Sequence, residues 1–96
     1  MTDWDNKEEV LEAVREDGSA LKQASEELKG NKDVVMAAVN NYGKALEAAS
    51  EELRADKEVV LAAVKQDKYV LGYGLQNADD SLKNDPEFMK EVEKYL

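Results

Sequence analysis

The motif Val-x-x-Ala-Val occurs three times along this chain, each 25 residues after the last: Val10, Ala13, Val14; Val35, Ala38, Val39; Val60, Ala63, Val64. Positions i, i+3 and i+4 share one side of an α-helix. In the second occurrence Val34 and Met36 widen the stripe, which predicts a helix buried over most of its circumference. Taken alone, Val59-Val60-Leu61-Ala62-Ala63-Val64 also reads as a buried strand. The polar residues before it, its two alanines and the lack of an alternating partner decide for helix.

What flanks each stripe repeats as well. Asn6, Asn31, Asp56 and Asp85 stand where a side chain accepts from the free N–H groups of a helix start. Lysine follows in three cases and Pro86 in the fourth, and proline suits the first helical residue. An acid comes next (Glu8, Asp33, Glu58, Glu87), facing the positive end of the helix dipole. Gly18 and Gly43 are expected to end the long helices in a left-handed conformation. A second, shorter helix is expected to carry Ala20, Leu21 and Ala24, matched by Ala45, Leu46 and Ala49, on one face. Ser25-Glu26-Glu27-Leu28 and Ser50-Glu51-Glu52-Leu53 then predict a serine-capped turn whose leucine returns to the core.

These elements define a tandem repeat. Residues 6–30 and 31–55 align without a gap and share 13 of 25 positions. A third unit, 56–84, realigns only at an offset of 29, from Gly43 to Gly72 and from Leu53 to Leu82, which places four extra residues near Asp67 to Val70. Four residues are about one helical turn. Gly72 and Gly74 imply a break or a close backbone contact there. Residues 85–96 form a half unit, in which Glu91 and Glu93 stand where the third unit has Ala62 and Val64; a polar outer face suits a terminal capping helix. Trp4, just before the first helix, is placed to act as a hydrophobic staple. The expected fold is all-α: one domain over residues 1–96, a short solenoid with the long helices in one layer and the short ones in another.

The consensus S-E-E-L-[KR]-x-[DN]-K-x-V-V-L-A-A-V-x-x-x-G-x-A-L-x-x-A resembles the DUF4116 family of short repeats. The resemblance runs from about Lys7 to Asn84 and rests on two successive copies, Ser25 to Val35 and Ser50 to Leu61. It implies a helical repeat and brings no catalytic residues. The longer third unit departs from the family's spacing.

Composition narrows the function. The chain has 96 residues, 43% apolar and 36% charged, with a net charge of −9. That field repels phosphate backbones and anionic membrane surfaces, which argues against nucleic-acid and membrane partners. Without cysteine there is no disulfide, thiolate metal site or thiol nucleophile, and without histidine the commonest general base and metal ligand is missing. No apolar run has membrane-span length and no signal-peptide layout is visible, so a cytoplasmic protein is expected.

The candidate sites are few. Tyr69 and Tyr73, four residues apart, would share a helix face; they are the leading protein-interaction candidates, set against a purely space-filling role beside the extra turn. Asp79, Asp80 and Asp85 gather carboxylates but lack the alternating spacing of an EF-hand loop, so they read as an acidic turn with a helix cap. The Glu26/Glu27 and Glu51/Glu52 pairs, like Ser25 and Ser50, recur as scaffold parts do and have no activating partner. Gly72-Tyr73-Gly74 lacks the remaining elements of a phosphate loop. The expectation is a monomeric, non-catalytic protein-interaction or structural module that needs no cofactor or metal. The alternative is a small-ligand-binding or enzymatic domain with an acidic pocket near residues 67–80.

Overall fold

In the computed structural model, which describes residues 2–66 and 78–95, the Val-x-x-Ala-Val stripes lie on ten-residue α-helices, Lys7–Glu16, Lys32–Asn41 and Lys57–Gln66. Pro86–Glu93 is a fourth, shorter helix. Each starts where an Asn or Asp side chain accepts from backbone N–H groups: Asn6 from Glu9, Asn31 from Val34, Asp56 from Glu58 and Val59, Asp85 from Glu87 and Phe88. Val10, Val14, Val34, Val35, Ala38, Val39, Val59, Val60 and Ala63 are fully buried. The helix reading of the apolar runs holds.

The second element of units one and two is tighter than an α-helix. Gly18–Gln23 and Gly43–Ala48 are 3-10 helices. Their geometry repeats every three residues, so Gly18, Leu21 and Ala24 fall on one line, as do Gly43, Leu46 and Ala49, and all six are buried. The predicted apolar face is present, with a period of three in place of 3.6. Single α-turns follow at Glu26–Lys29, Glu51–Arg54 and Asp80–Lys83. The Ser25 and Ser50 side chains accept from the N–H of Leu28 and Leu53, and Asp79 from that of Ser81. Leu28, Leu53 and Leu82 return to the core.

The left-handed glycine ending does not occur at Gly18. The long helices are closed by Asp17 and Tyr42 in extended conformations, with φ of −148° and −152°. Gly18 is required for closeness instead: a Cβ there would lie 2.5 Å from the Ala38 carbonyl oxygen and 2.7 Å from Tyr42 Cβ. Both obstacles are fixed to the next unit's backbone. Gly18→Ala should therefore destabilise the protein by about 1–3 kcal/mol, the usual cost of overpacking, read as a lower urea midpoint. An unchanged midpoint would show that the units do not approach this closely.

The long helix of unit two lies between those of units one and three, and the two 3-10 helices touch each other while packing on the long helices. These are the two expected layers. The molecule measures 43 × 23 × 16 Å. Among the described residues no polar or charged side chain is buried. Glu91 is half-buried and Glu93 exposed, whereas Ala62 and Val64 are buried, as a capping helix requires. The four extra residues expected in unit three, with Gly72 and Gly74, lie outside the described residues.

Candidate functional site

Adjacent units are joined by three kinds of repeating polar contact. The first is made by the main chain. The Ser25 N–H donates to the Trp4 carbonyl at 2.8 Å, that of Ser50 to Lys29 at 3.1 Å, and that of Asp79 to Arg54 at 2.8 Å. Trp4, Lys29 and Arg54 are themselves 25 residues apart. The Asn6 N–H donates to the Asp3 carbonyl as that of Asn31 does to Leu28, so the lead-in imitates the closing turn of a unit. Trp4 packs half-buried against the core, and its carbonyl adds a bond that a staple alone does not predict.

The second kind uses the lysine that follows each cap. Lys7 reaches Asp33 at 3.0 Å, Lys32 reaches Glu58 at 2.9 Å and Asp56 at 3.1 Å, and Lys57 reaches Asp85 at 3.2 Å. Each ammonium meets an acid at the start of the next long helix. The lysines are exposed and their partners exposed or half-buried at the surface, so these pairs add little stability. The third kind uses carboxamides at the helix ends. Asn41 accepts from the Gly18 N–H at 2.7 Å and donates to the Arg15 carbonyl at 3.2 Å, and Gln66 donates to the Asn41 carbonyl at 3.4 Å.

The capping carboxylates titrate low. At Asp17 the Ser19 hydroxyl and then its N–H hold the carboxyl below its ordinary value, and Ser81 does the same for Asp79. At Asp85 the Phe88 N–H and then Lys57 lower it. At Asp56 partial burial pulls upward, but Lys32 and the N–H groups of Val59 and Glu58 together outweigh it. Glu58 and then Asp56 raise Lys32. A carboxyl lowered by folding stabilises the fold above its unfolded value, near 3.9, and loses that contribution as pH falls through the lower folded value. Asparagine caps equally well without titrating. The melting-temperature gap between wild type and Asp79→Asn/Asp85→Asn should therefore be constant from pH 7 to about 5 and change below about 4. A gap independent of pH down to 2 would contradict these assignments.

Tyr69 and Tyr73 lie outside the described residues, as does Gly72-Tyr73-Gly74. Asp79 and Asp85 cap separate helices and Asp80 is exposed; among the described residues no three acidic groups converge on one point. Glu26, Glu27, Glu51 and Glu52 are exposed in the first turns of the single-turn helices. Sequence reasoning passed over Tyr42, whose side chain is 39% exposed. It also missed an open groove between the third and fourth long helices, lined by Lys57, Glu58, Leu61, Glu87, Phe88 and Glu91. The signal for Tyr42 was its place just before Gly43, at the junction of two elements. The groove has no signature within one unit, because two units form it. Among the described residues no helix is long and apolar enough to cross a membrane.

Fold and contacts together define a helical tandem-repeat protein whose units are joined by recurring lysine and main-chain contacts. The family profile described as "Domain of unknown function (DUF4116)" matches residues 6–54, 31–74 and 56–94, and the chain belongs to that family. The three matches begin at Asn6, Asn31 and Asp56, the first residues of the units, and each spans about two of them. The matched range extends past Asn84 into the last helix. No curated protein matches the chain, and no solved structure does.

Proposed function

We propose that this chain is a non-catalytic interaction module that holds a partner protein on its acidic helical surface. The observation behind this reading is the use to which its polar residues are put. The recurring Asn, Asp, Ser and Lys side chains are engaged in caps and inter-unit contacts, and none is buried among the described residues. Catalysis needs a group held away from water with a shifted reactivity, whereas here the shifted carboxyls are caps. The net charge of −9 disfavours nucleic acid, anionic membranes and self-association alike, which suits a monomer acting on a protein partner in the cytoplasm.

A thermal-shift panel of divalent metals, nucleotides and common metabolites tests it. A ligand at a hundred times its Kd adds about 2.7 kcal/mol to native stability, roughly 10 °C or more for a domain of this length. No compound in the panel should produce such a shift. A clear stabilisation by one of them, lost on mutation near residues 67–80, would replace this reading with that of a ligand-binding or catalytic domain.

A further inference from the structure

The third and fourth long helices touch along a shorter stretch than the earlier successive pairs do, consistent with the 29-residue step between them. The space between their outer faces is an open groove of about 580 Å³, within the usual range for binding clefts. Leu61, half-buried, and Phe88, 4% exposed, give it an apolar floor.

The rim is acidic. Glu58, Glu87 and Glu91 line the groove with one lysine, Lys57, which Asp85 holds at 3.2 Å. Glu58 holds Lys32 at 2.9 Å and Glu91 holds Lys94 at 3.0 Å. Those pairs are exposed, and an exposed pair exchanges one lysine for another at little cost. Glu87 stands exposed on the first turn of the last helix. An apolar floor inside a carboxylate rim, on a chain of net charge −9, complements a segment that is apolar at its centre and basic at its edges. A second copy of this chain carries the same −9 and fits poorly.

We propose that this groove docks a basic amphipathic segment of a partner protein. One apolar side chain of the segment enters between Leu61 and Phe88, and flanking lysines or arginines meet Glu58, Glu87 and Glu91, a helix-in-groove arrangement. This rests on the interaction-module reading and names the surface and the chemistry of the partner.

A phage-displayed library of random 12-residue peptides, selected on the wild-type protein, supplies the probe. Enriched peptides should carry lysine or arginine around an apolar residue. A fluorescent copy of one should bind tenfold or more weakly to Leu61→Arg and to Glu87→Lys/Glu91→Lys, bind Tyr42→Ala normally, and weaken as sodium chloride is raised. Far-UV circular dichroism checks the fold of Leu61→Arg, and the charge-reversed variant alters only exposed or half-buried positions. Enriched peptides that lack basic residues, or that bind both groove variants as tightly as wild type, would overturn the groove and leave the module reading standing. Dimerisation seen by sedimentation and abolished in Leu61→Arg would assign the groove to a second copy and overturn the proposal. A library that yields no binder at all would overturn both.

Discussion

Leu46→Asp should leave the protein unfolded at room temperature, with the far-UV helical signal lost. Leu46 is fully buried on the 3-10 helix of unit two, which packs against the long helices of units two and three and against the 3-10 helix of unit one. Truncation to alanine at such a position costs about 2–5 kcal/mol. Aspartate adds the desolvation of a carboxylate, and the described core offers no buried polar partner to receive it. A domain of this length has roughly 5–15 kcal/mol of stability in total, so the combined cost consumes it. Val35→Asp should act alike, since Val35 is fully buried on the long helix held between two others. Leu46→Ala should remain folded and melt about 10 °C or more lower. A Leu46→Asp protein with an unchanged spectrum and melting temperature would refute the core assignment.

The second large effect is expected at Ser50. Its φ of −61° suits proline, and the preceding Ala49 at φ −74°, ψ 159° already has the conformation that proline requires of its neighbour. Locally, then, Ser50→Pro fits. Between units it does not. The proline ring carbon takes the place of the N–H hydrogen that now points at the Lys29 carbonyl, with nitrogen and oxygen 3.1 Å apart. The substitution replaces a hydrogen bond by a collision and also removes the hydroxyl that caps Leu53. Ser50→Ala removes the cap alone, at about 1 kcal/mol. Ser50→Pro should cost roughly 3 kcal/mol or more, so the difference between the two urea midpoints isolates the inter-unit bond. Equal midpoints would show that the bond carries no weight.

The units were legible in the sequence because each contains its own punctuation. Asn or Asp before a lysine, a Val-x-x-Ala-Val stripe and a serine before two glutamates all act within a single turn of helix, where spacing alone dictates the contact. The three-residue spacing of Gly18, Leu21 and Ala24, repeated at Gly43, Leu46 and Ala49, was equally visible. It belongs to a 3-10 helix, and six residues are too few to tell a period of 3 from one of 3.6 by eye. Gly18 resisted for a different reason. Glycine at a helix end has two uses, a left-handed turn or a close approach, and only the position of Ala38 and Tyr42 in the next unit selects the second.

The contacts between units were hidden by distance along the chain. Lys7 and Asp33, or Asn41 and Arg15, are 26 residues apart, and periodicity shows that such residues recur without showing what they touch. The groove at Leu61 and Phe88 is of this kind, since it exists only where two units diverge. Of the groove, only the acidity of the chain around it could be read beforehand.

Successive units are joined through the main chain, and hydrogen exchange followed by NMR tests this most directly. The amides of Ser25, Ser50 and Asp79 precede short turns, where an amide with no partner exchanges freely. If they donate to Trp4, Lys29 and Arg54, all three should be protected, approaching the core amides of Val35 and Val39 and rising and falling with them as urea is added. Exchange of these three amides at the unprotected rate, with Val35 and Val39 still protected, would mean that the units merely lie side by side.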